Sequence, residues 1–146
     1  MEITSNISTN KDQSERLKQC GVSEDTADMV WRKNYDPTTE TGDSESEQLC
    51  AMSYDSAKIL YGEAFITPAW SLSRLIALMP PAIQHGNTIY YLDFAPYPRK
   101  GWGFGYFNAE GVRSIKGLTP PCDPIEASVR LIEWLKGNGY NLNIKN

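Results

Sequence analysis

Residues 67–80 constrain the fold of this chain most, because they carry its clearest helical pattern. Apolar side chains recur there at the spacing of one helix face, at Leu72, Leu75, Ile76 and Met79. Thr67 can cap the first turn, and Pro68 suits the first helical position, where no backbone N–H is needed. Pro80 and Pro81 then end the helix, since neither can continue its hydrogen bonds. The pattern therefore predicts a helix that packs on a core.

A sheet is predicted to follow this helix. β-Branched and aromatic residues indicate strands over 88–94, 101–107 and 112–115. Asp123 and Pro124 then open a last helix with the same arrangement of a cap followed by a proline. Because two amphipathic helices flank three strands, the expected fold class is α+β. Its core would be an antiparallel three-stranded sheet packed against two helices in the order α-β-β-β-α.

The N-terminal part of the chain is less regular. Residues 1–9 are expected to be a frayed tail, and helices over 11–19 and 24–33 are expected to form a helical hairpin beside the core. Residues 34–48 contain five acidic side chains and no basic one. They predict a solvated acidic loop, because the regular ligand spacing of a calcium loop is absent. Two short apolar segments are interpreted as strands, at 49–54 and 57–61.

Length and charge limit the classes of function. A chain of 146 residues is the size of a single domain, and one domain is predicted over 1–146. Its formal net charge of −4 disfavours broad electrostatic binding to nucleic acid or to an anionic membrane. No apolar run approaches the roughly 18 residues of a membrane span, and the polar N-terminus lacks the layout of a secretion signal. A cytoplasmic location without membrane contact is expected.

Side chains that could carry chemistry are scattered. Cys20, Cys50 and Cys122 are far apart and form no C-x-x-C pair, which predicts reduced thiols and no metal site. His85, the one histidine, is expected in a turn, and Asp93 is a single carboxylate within a strand. An enzyme that uses Cys122 or Asp93 is one hypothesis. Since no base or third group is spaced to support either residue, we predict no catalytic residue, no cofactor and no enzymatic activity.

An aromatic row in the second predicted strand is the feature most suggestive of binding. Trp102, Phe104 and Tyr106 alternate with glycines, so their rings share one face of the strand. The row is either half of the core or an exposed platform, and if it is buried, Tyr90, Tyr97 and the loop at 98–100 are the exposed candidates. The candidate binding residues are Tyr97, Arg99, Lys100, Trp102, Phe104 and Tyr106.

Two functions are compatible with this row. The first is a non-catalytic interaction protein that binds a protein partner through an exposed aromatic patch or a sheet edge. The second is a nucleic-acid-binding module, in which Arg99 and Lys100 act together with Arg113 and Lys116. The acidic net charge disfavours the second, so a protein partner is the leading expectation.

The chain also resembles known proteins. The segments at 13–29 and 67–80, the Trp-Gly-Phe-Gly-Tyr strand at 102–106 and the helix at 126–135 resemble small proteins encoded in gut-anaerobe (Bacteroides-type) genomes, often near prophage or mobile-element genes. The resemblance implies a cytoplasmic accessory protein of phage or mobile-element origin. It transfers no activity, ligand or catalytic residue.

A second resemblance concerns only the order of elements. Helix, three strands and helix over 67–136 is similar to the order in a double-stranded RNA-binding domain. Such domains place a basic cluster at the start of the last helix, whereas this chain has Cys-Asp-Pro-Ile-Glu at 122–126. The resemblance therefore implies a similar topology without the RNA-binding function.

Overall fold

A computed structural model describes residues 7–35, 38, 43–97 and 99–144. In this part of the chain the helices are α1 Lys11–Gln19, α2 Tyr54–Tyr61, α3 Leu72–Leu78 and α4 Pro124–Gly137. The strands are β1 Met29–Tyr35, β2 Asp43–Cys50, β3 Ile66–Ala69, β4 Ala82–His85, β5 Thr88–Tyr97, β6 Gly101–Phe107 and β7 Ser114–Lys116. They form two antiparallel sheets, ordered β2-β1-β3 and β4-β5-β6-β7. The α+β class is confirmed, but the single three-stranded sheet is wrong.

The predicted N-terminal helical hairpin is also wrong. Helix α1 has its predicted bounds and begins with a reciprocal capping box between Asn10 and Gln13. The second predicted helix is instead a single 3₁₀ turn, Glu24–Thr26, followed by β1. β1 is the central strand of its sheet, so its backbone is hydrogen-bonded on both sides. These pairings override the helix-like distribution of charges at 24–33.

Part of the predicted acidic loop is a strand. Residues 43–48 belong to β2, which pairs with β1 from Val30 opposite Cys50 to Tyr35 opposite Asp43. Positions 36–37 and 39–42 of that loop lie outside the described residues, as do positions 1–6 of the predicted tail. The end of that tail is held in place, because Thr9 is fully buried and its N–H donates to the Trp70 carbonyl oxygen at 2.9 Å.

Helix α3 is shorter than the sequence predicts. Pro68 lies in β3, opposite Val30, at the edge of the first sheet, where a proline is tolerated. The cap is Ser71, whose hydroxyl accepts from the Arg74 N–H at 3.1 Å. The predicted cap at Thr67 is therefore wrong, since β3 uses this stretch for pairing. The predicted strand at 57–61 is wrong as well, because these residues lie in α2.

The second sheet supplies most of the aromatic core. β5 and β6 pair with Leu92 opposite Tyr106 and Phe94 opposite Phe104, so these four side chains share one face. Helix α4 packs on β6 and α3 packs on α4, with Leu72 and Ile76 of α3 near Phe94 and Phe104. The short edge strand β4 was not predicted. Its pairing with β5 makes the sheet four-stranded and changes the expected α-β-β-β-α order. The largest fully buried side chains include Trp70, Phe104, Tyr106, Leu75, Leu78, Ile132 and Leu135.

A charged cluster joins α1 to α4. Arg16 donates through Nη1 to Glu126 Oε1 at 2.6 Å and through Nη2 to Glu133 Oε1 at 2.5 Å. Gln13 and Arg130 also donate to the Glu126 carboxylate, at 3.2 Å and 2.8 Å. Burial raises the pKa of Glu126, but these hydrogen bonds outweigh it and hold that pKa below its ordinary value. The ionised carboxylate therefore stabilises the packing of α1 on α4.

This cluster predicts an acid-sensitive contribution to stability. The folded-state pKa of Glu126 is lowered, so its contribution is complete above the unfolded pKa of about 4.3 and is lost as pH falls through the folded value. We expect Glu126→Gln to lower the free energy of unfolding by about 1–2 kcal/mol at pH 7 and by much less below pH 3. Urea unfolding of both proteins at pH 7 and 3 measures this. Glu110→Gln, at an exposed turn residue, is the control, and an equal loss at both pH values would contradict the assignment.

Candidate functional site

Two of the predicted binding residues belong to the core. Phe104 is 2% exposed and Tyr106 is fully buried. The Tyr106 hydroxyl donates to the Pro80 carbonyl oxygen at 2.8 Å, and burial raises the pKa of this phenol. Its ring stacks on Trp134 with centroids 6.3 Å apart. Of the two alternatives for the aromatic row, the core alternative describes Phe104 and Tyr106, and the fully buried Tyr106 ring is not available to a partner in the folded protein.

The other end of the row is open to solvent. Trp102 is half-buried, and Phe94, opposite Phe104 on the neighbouring strand, is 52% exposed. The Phe94 ring centroid lies 5.8 Å from that of Trp102 and 5.5 Å from that of Phe104. These rings border a cavity of about 150 Å³ that we call the apolar groove. It is lined by Leu72, Ile76, Phe94, Trp102, Phe104 and Pro124.

The two helices that border the groove are fixed at their N-termini. Asp28 accepts hydrogen bonds from the Ser71 N–H at 2.9 Å and from the Ser71 hydroxyl at 2.5 Å, which anchors the start of α3. The start of α4 is tied to β6, because Trp102 and Cys122 exchange backbone hydrogen bonds of 2.7 and 3.2 Å. Leu72 and Pro124, the first residues of the two helices, are thereby held at the groove.

Two basic residues lie in the turn between β5 and β6, close in sequence to the groove residue Trp102. Arg99 and Lys100 are exposed and follow β5, and Trp102 comes two residues after Lys100. Arg99 has a φ of 61°, a left-handed conformation that is uncommon for a residue other than glycine. In the described part of the chain, neither side chain has a hydrogen bond or an ion pair. Their charges are therefore unpaired in a turn that ends two residues before Trp102, which lines the groove.

Tyr97 lies on the opposite face of the sheet. It pairs with Gly101, and its ring covers Gly103, where an added Cβ would come within 2.9 Å of the Tyr97 ring. The predicted residues are therefore divided between three places. Trp102 lines the groove, with Arg99 and Lys100 in the turn before it. Phe104 and Tyr106 lie in the core, where Phe104 also borders the groove, and Tyr97 packs on the glycine face.

Sequence reasoning missed four residues of the groove, of which Leu72 was assigned to the inner face of its helix. Ile76 was assigned to the inner face of its helix, yet it is 36% exposed. Phe94 and Pro124 were not identified as binding residues. Phe94 could have been found from the alternation of β5, because its spacing puts it on the same face as Tyr90 and Leu92.

The basic residues invoked for nucleic acid do not form one patch. Arg99 and Lys100 precede β6, whereas Arg113 lies in the turn after it. The seven residues of β6 separate the two sites by roughly 20 Å. Lys116 pairs opposite Tyr106, between these ends. The arrangement lacks the continuous basic surface on which the nucleic-acid hypothesis depends.

The residues considered for catalysis lie apart. Burial raises the pKa of the Cys122 thiol, which reduces the thiolate fraction that a nucleophile needs. Asp93 is exposed, and its carboxylate accepts from the adjacent Phe94 N–H at 2.9 Å. His85 is exposed, with its Nδ1 3.4 Å from the Tyr140 hydroxyl. Among the described residues, no group of three or more His, Cys, Asp or Glu side chains is placed to hold a metal ion.

Over the residues described, no helix has both the length and the apolar character required to cross a bilayer.

Comparison of the chain with protein-family models, with curated proteins and with solved structures found no match. The resemblance to small proteins of gut anaerobes and prophages therefore stays a prediction that rests on the segments quoted above.

Proposed function

We propose that this protein is a non-catalytic, cytoplasmic binding protein, and that a protein partner docks on the apolar groove. The observation that carries the proposal is the groove itself, in which Phe94 and Ile76 remain exposed beside a buried aromatic core. Aromatic side chains that are fixed by packing but open on one side are typical of binding anchors. The accessory role in a phage or mobile element is part of the same proposal.

The volume of the groove limits what enters it. A cavity of about 150 Å³ with an apolar lining is large enough for a benzene-sized group. It therefore fits one aromatic or large aliphatic side chain from a partner segment. Burying such a side chain contributes about 1.5–3 kcal/mol to binding.

The basic residues Arg99 and Lys100, which we call the rim, indicate the charge expected of the partner segment. Both are exposed and lie in the turn before the groove residue Trp102, in a chain of net charge −4. A partner segment with Asp or Glu next to its apolar anchor would pair with these two charges. We therefore propose an acidic segment with one apolar anchor as the occupant of the groove.

Peptide display tests this proposal without knowledge of the natural partner. The immobilised protein selects from a random library, and each pool is counter-selected on the double variant Ile76→Ser/Phe94→Ser, whose folding is verified by thermal unfolding. We expect enriched peptides to contain an aromatic or large aliphatic residue flanked by Asp or Glu. They should bind Val112→Ser, at a 79% exposed residue of a distant turn, as tightly as the unchanged protein.

Two further variants test the rim. Arg99→Gln/Lys100→Gln should weaken binding of the selected peptides several-fold, and the effect should shrink as salt increases. Peptides that bind the Ile76→Ser/Phe94→Ser protein as tightly as the unchanged one would contradict the groove as the docking site. Enrichment of basic peptides would contradict the proposed charge of the partner.

A further inference from the structure

A second cavity lies on the three-stranded sheet and shares no residue with the apolar groove. We call it the Arg32 cavity. It has a volume of about 340 Å³ and is lined by Arg32, Lys33, Leu60, Tyr61 and Phe65. Pockets for small molecules run from roughly 300 to 1,000 Å³, so this cavity suits a ligand at the small end of that range.

Arg32 gives the cavity its polar group. The guanidinium carbon lies 4.7 Å from the centroid of the Tyr61 ring, and Nη2 donates to Gln48 Oε1 at 3.2 Å. The Nε atom is buried, and no hydrogen-bond partner for it is found among the described residues. Because Nε is closed to solvent, a ligand in the cavity would meet the guanidinium through its Nη groups.

Of the two basic residues described in the lining, Arg32 is the one whose side chain lies against the Tyr61 ring. Successive side chains of a strand point to opposite faces, so Lys33 points away from the face that carries Arg32. On that opposite face Glu47 pairs across from Lys33 and forms an ion pair with Lys11. One guanidinium matches one negative charge, and its planar fork of donors fits the geometry of a carboxylate.

The other three side chains described in the lining are largely apolar. Leu60 is 65% exposed, and the rings of Tyr61 and Phe65 are half-buried beside it. These three side chains surround the cavity with hydrocarbon and aromatic surface on the side of α2 and of the turn after it. A ligand that pairs with Arg32 therefore needs an apolar body to cover them.

We propose that the Arg32 cavity is a binding site for a small organic monocarboxylate with an aromatic or aliphatic body. The carboxylate pairs with the Arg32 guanidinium, and the body packs on Leu60, Tyr61 and Phe65. One guanidinium packed beside apolar side chains favours this ligand over a phosphate ester or a dianion, which would need further donors. The site is independent of the proposed protein-binding groove, and each can fail without the other.

Titration with 3-phenylpropionate, followed by isothermal calorimetry or by NMR, tests the inference. A ligand of this size is expected to bind with a dissociation constant near about 1 mM. Two matched probes separate the contributions. The neutral 3-phenylpropanamide keeps the body without the charge, and acetate keeps the charge without the body. Both should bind at least tenfold more weakly, and equal binding of the amide would overturn the role of Arg32.

Variants then place the probe in the cavity. Arg32→Gln should weaken 3-phenylpropionate binding at least tenfold, and Leu60→Ser should weaken it several-fold, whereas Arg113→Gln, at an exposed residue between β6 and β7, should leave it unchanged. Leu60 is exposed, so its variant keeps the test valid even if Arg32→Gln disturbs β1. No binding of 3-phenylpropionate at about 10 mM, or equal binding by both variants, would overturn the proposal.

A last probe identifies the source of the carboxylate. The peptide Gly-Gly-Phe is compared as its free acid and as its C-terminal amide. A free acid that binds more tightly than 3-phenylpropionate, with the same dependence on Arg32, assigns the site to the end of a peptide chain. Weaker binding of the peptide supports a free small acid as the ligand.

Discussion

Trp70→Ala is expected to lower the free energy of unfolding by about 3–5 kcal/mol, the range for removal of a large buried aromatic side chain. Trp70 is fully buried and lies directly between β3 and the cap of α3. Its indole N–H donates to Thr26 Oγ1 at 3.0 Å, and its backbone N–H donates to Thr9 Oγ1 at 3.1 Å. One residue thus connects the N-terminal segment, the 3₁₀ turn and the start of α3.

Urea unfolding followed by circular dichroism measures this loss. The free energy of unfolding of a domain is typically about 5–15 kcal/mol, so the loss expected for Trp70→Ala can leave little of it. Trp70→Phe is therefore the second variant, in case Trp70→Ala does not fold. The phenylalanine keeps most of the apolar contact but leaves Thr26 without its donor, and we expect a loss of about 1–3 kcal/mol. Ile59→Ala, at a residue 86% exposed, should change stability by less than about 0.5 kcal/mol. A Trp70→Ala loss as small as the control would contradict the central position of this side chain.

Gly105→Ala is expected to have the next largest effect, a loss of about 3 kcal/mol. An added Cβ would lie 2.6 Å from the Lys116 carbonyl oxygen and 3.0 Å from the Gly117 carbonyl carbon, both of which are backbone atoms. The neighbouring Gly103 is equally restricted, because its Cβ would lie 2.7 Å from the Thr119 carbonyl oxygen. The glycines of β6 therefore let the segment at 116–119 cross close to the strand.

Thermal unfolding of Gly105→Ala compared with Gly137→Ala tests this reason. Gly137 lies at the end of α4, where an added Cβ would meet only open space, so alanine there should be neutral or stabilising by up to about 1 kcal/mol. The same segment at 116–119 leads to Pro124 at the groove, so Gly105→Ala should also weaken binding of peptides selected on the groove. A Gly105→Ala protein as stable as Gly137→Ala would show that the backbone does not approach β6 this closely.

The elements that sequence reasoning predicted are those with strong local signals. Helix α4 begins at Pro124 behind the cap Asp123, whose carboxylate accepts from the backbone N–H groups of Ile125 and Glu126 at 3.0 and 3.2 Å. The alternation of aromatic and glycine residues predicted the bounds of β6. In both cases the local preference and the tertiary packing agree, so the pattern alone was sufficient.

The elements that it missed depend on partners far away in the chain. Two possible caps, Thr67 and Ser71, lie four residues apart, and the pairing of β3 with β1 selects the second. Likewise the basic residues of β1 are typical of a helix C-terminus, but the strands on both sides of β1 pair with its backbone hydrogen-bonding groups. A single sequence does not show these long-range pairings.

The candidate site was half predictable for a related reason. The spacing of Trp102, Phe104 and Tyr106 predicted that they share one face of the strand. It did not predict which of the three rings the helices would cover. That depends on where α3 begins and on how Cys122 ties α4 to β6. The shorter α3 leaves Phe94 and Ile76 exposed, and these residues turn part of a core face into a groove.

The most direct test of the groove is an NMR titration with N-acetylphenylalaninamide, a neutral aromatic probe that carries no carboxylate for Arg32. The signals to follow are the Trp102 indole N–H, assigned with Trp102→Phe, and the Ile76 methyl groups. We predict that both shift with the same dissociation constant, while the indole signal of the buried Trp70 stays in place. Unchanged Trp102 and Ile76 signals, with shifts confined to other surfaces, would contradict the claim that this groove accepts an apolar anchor.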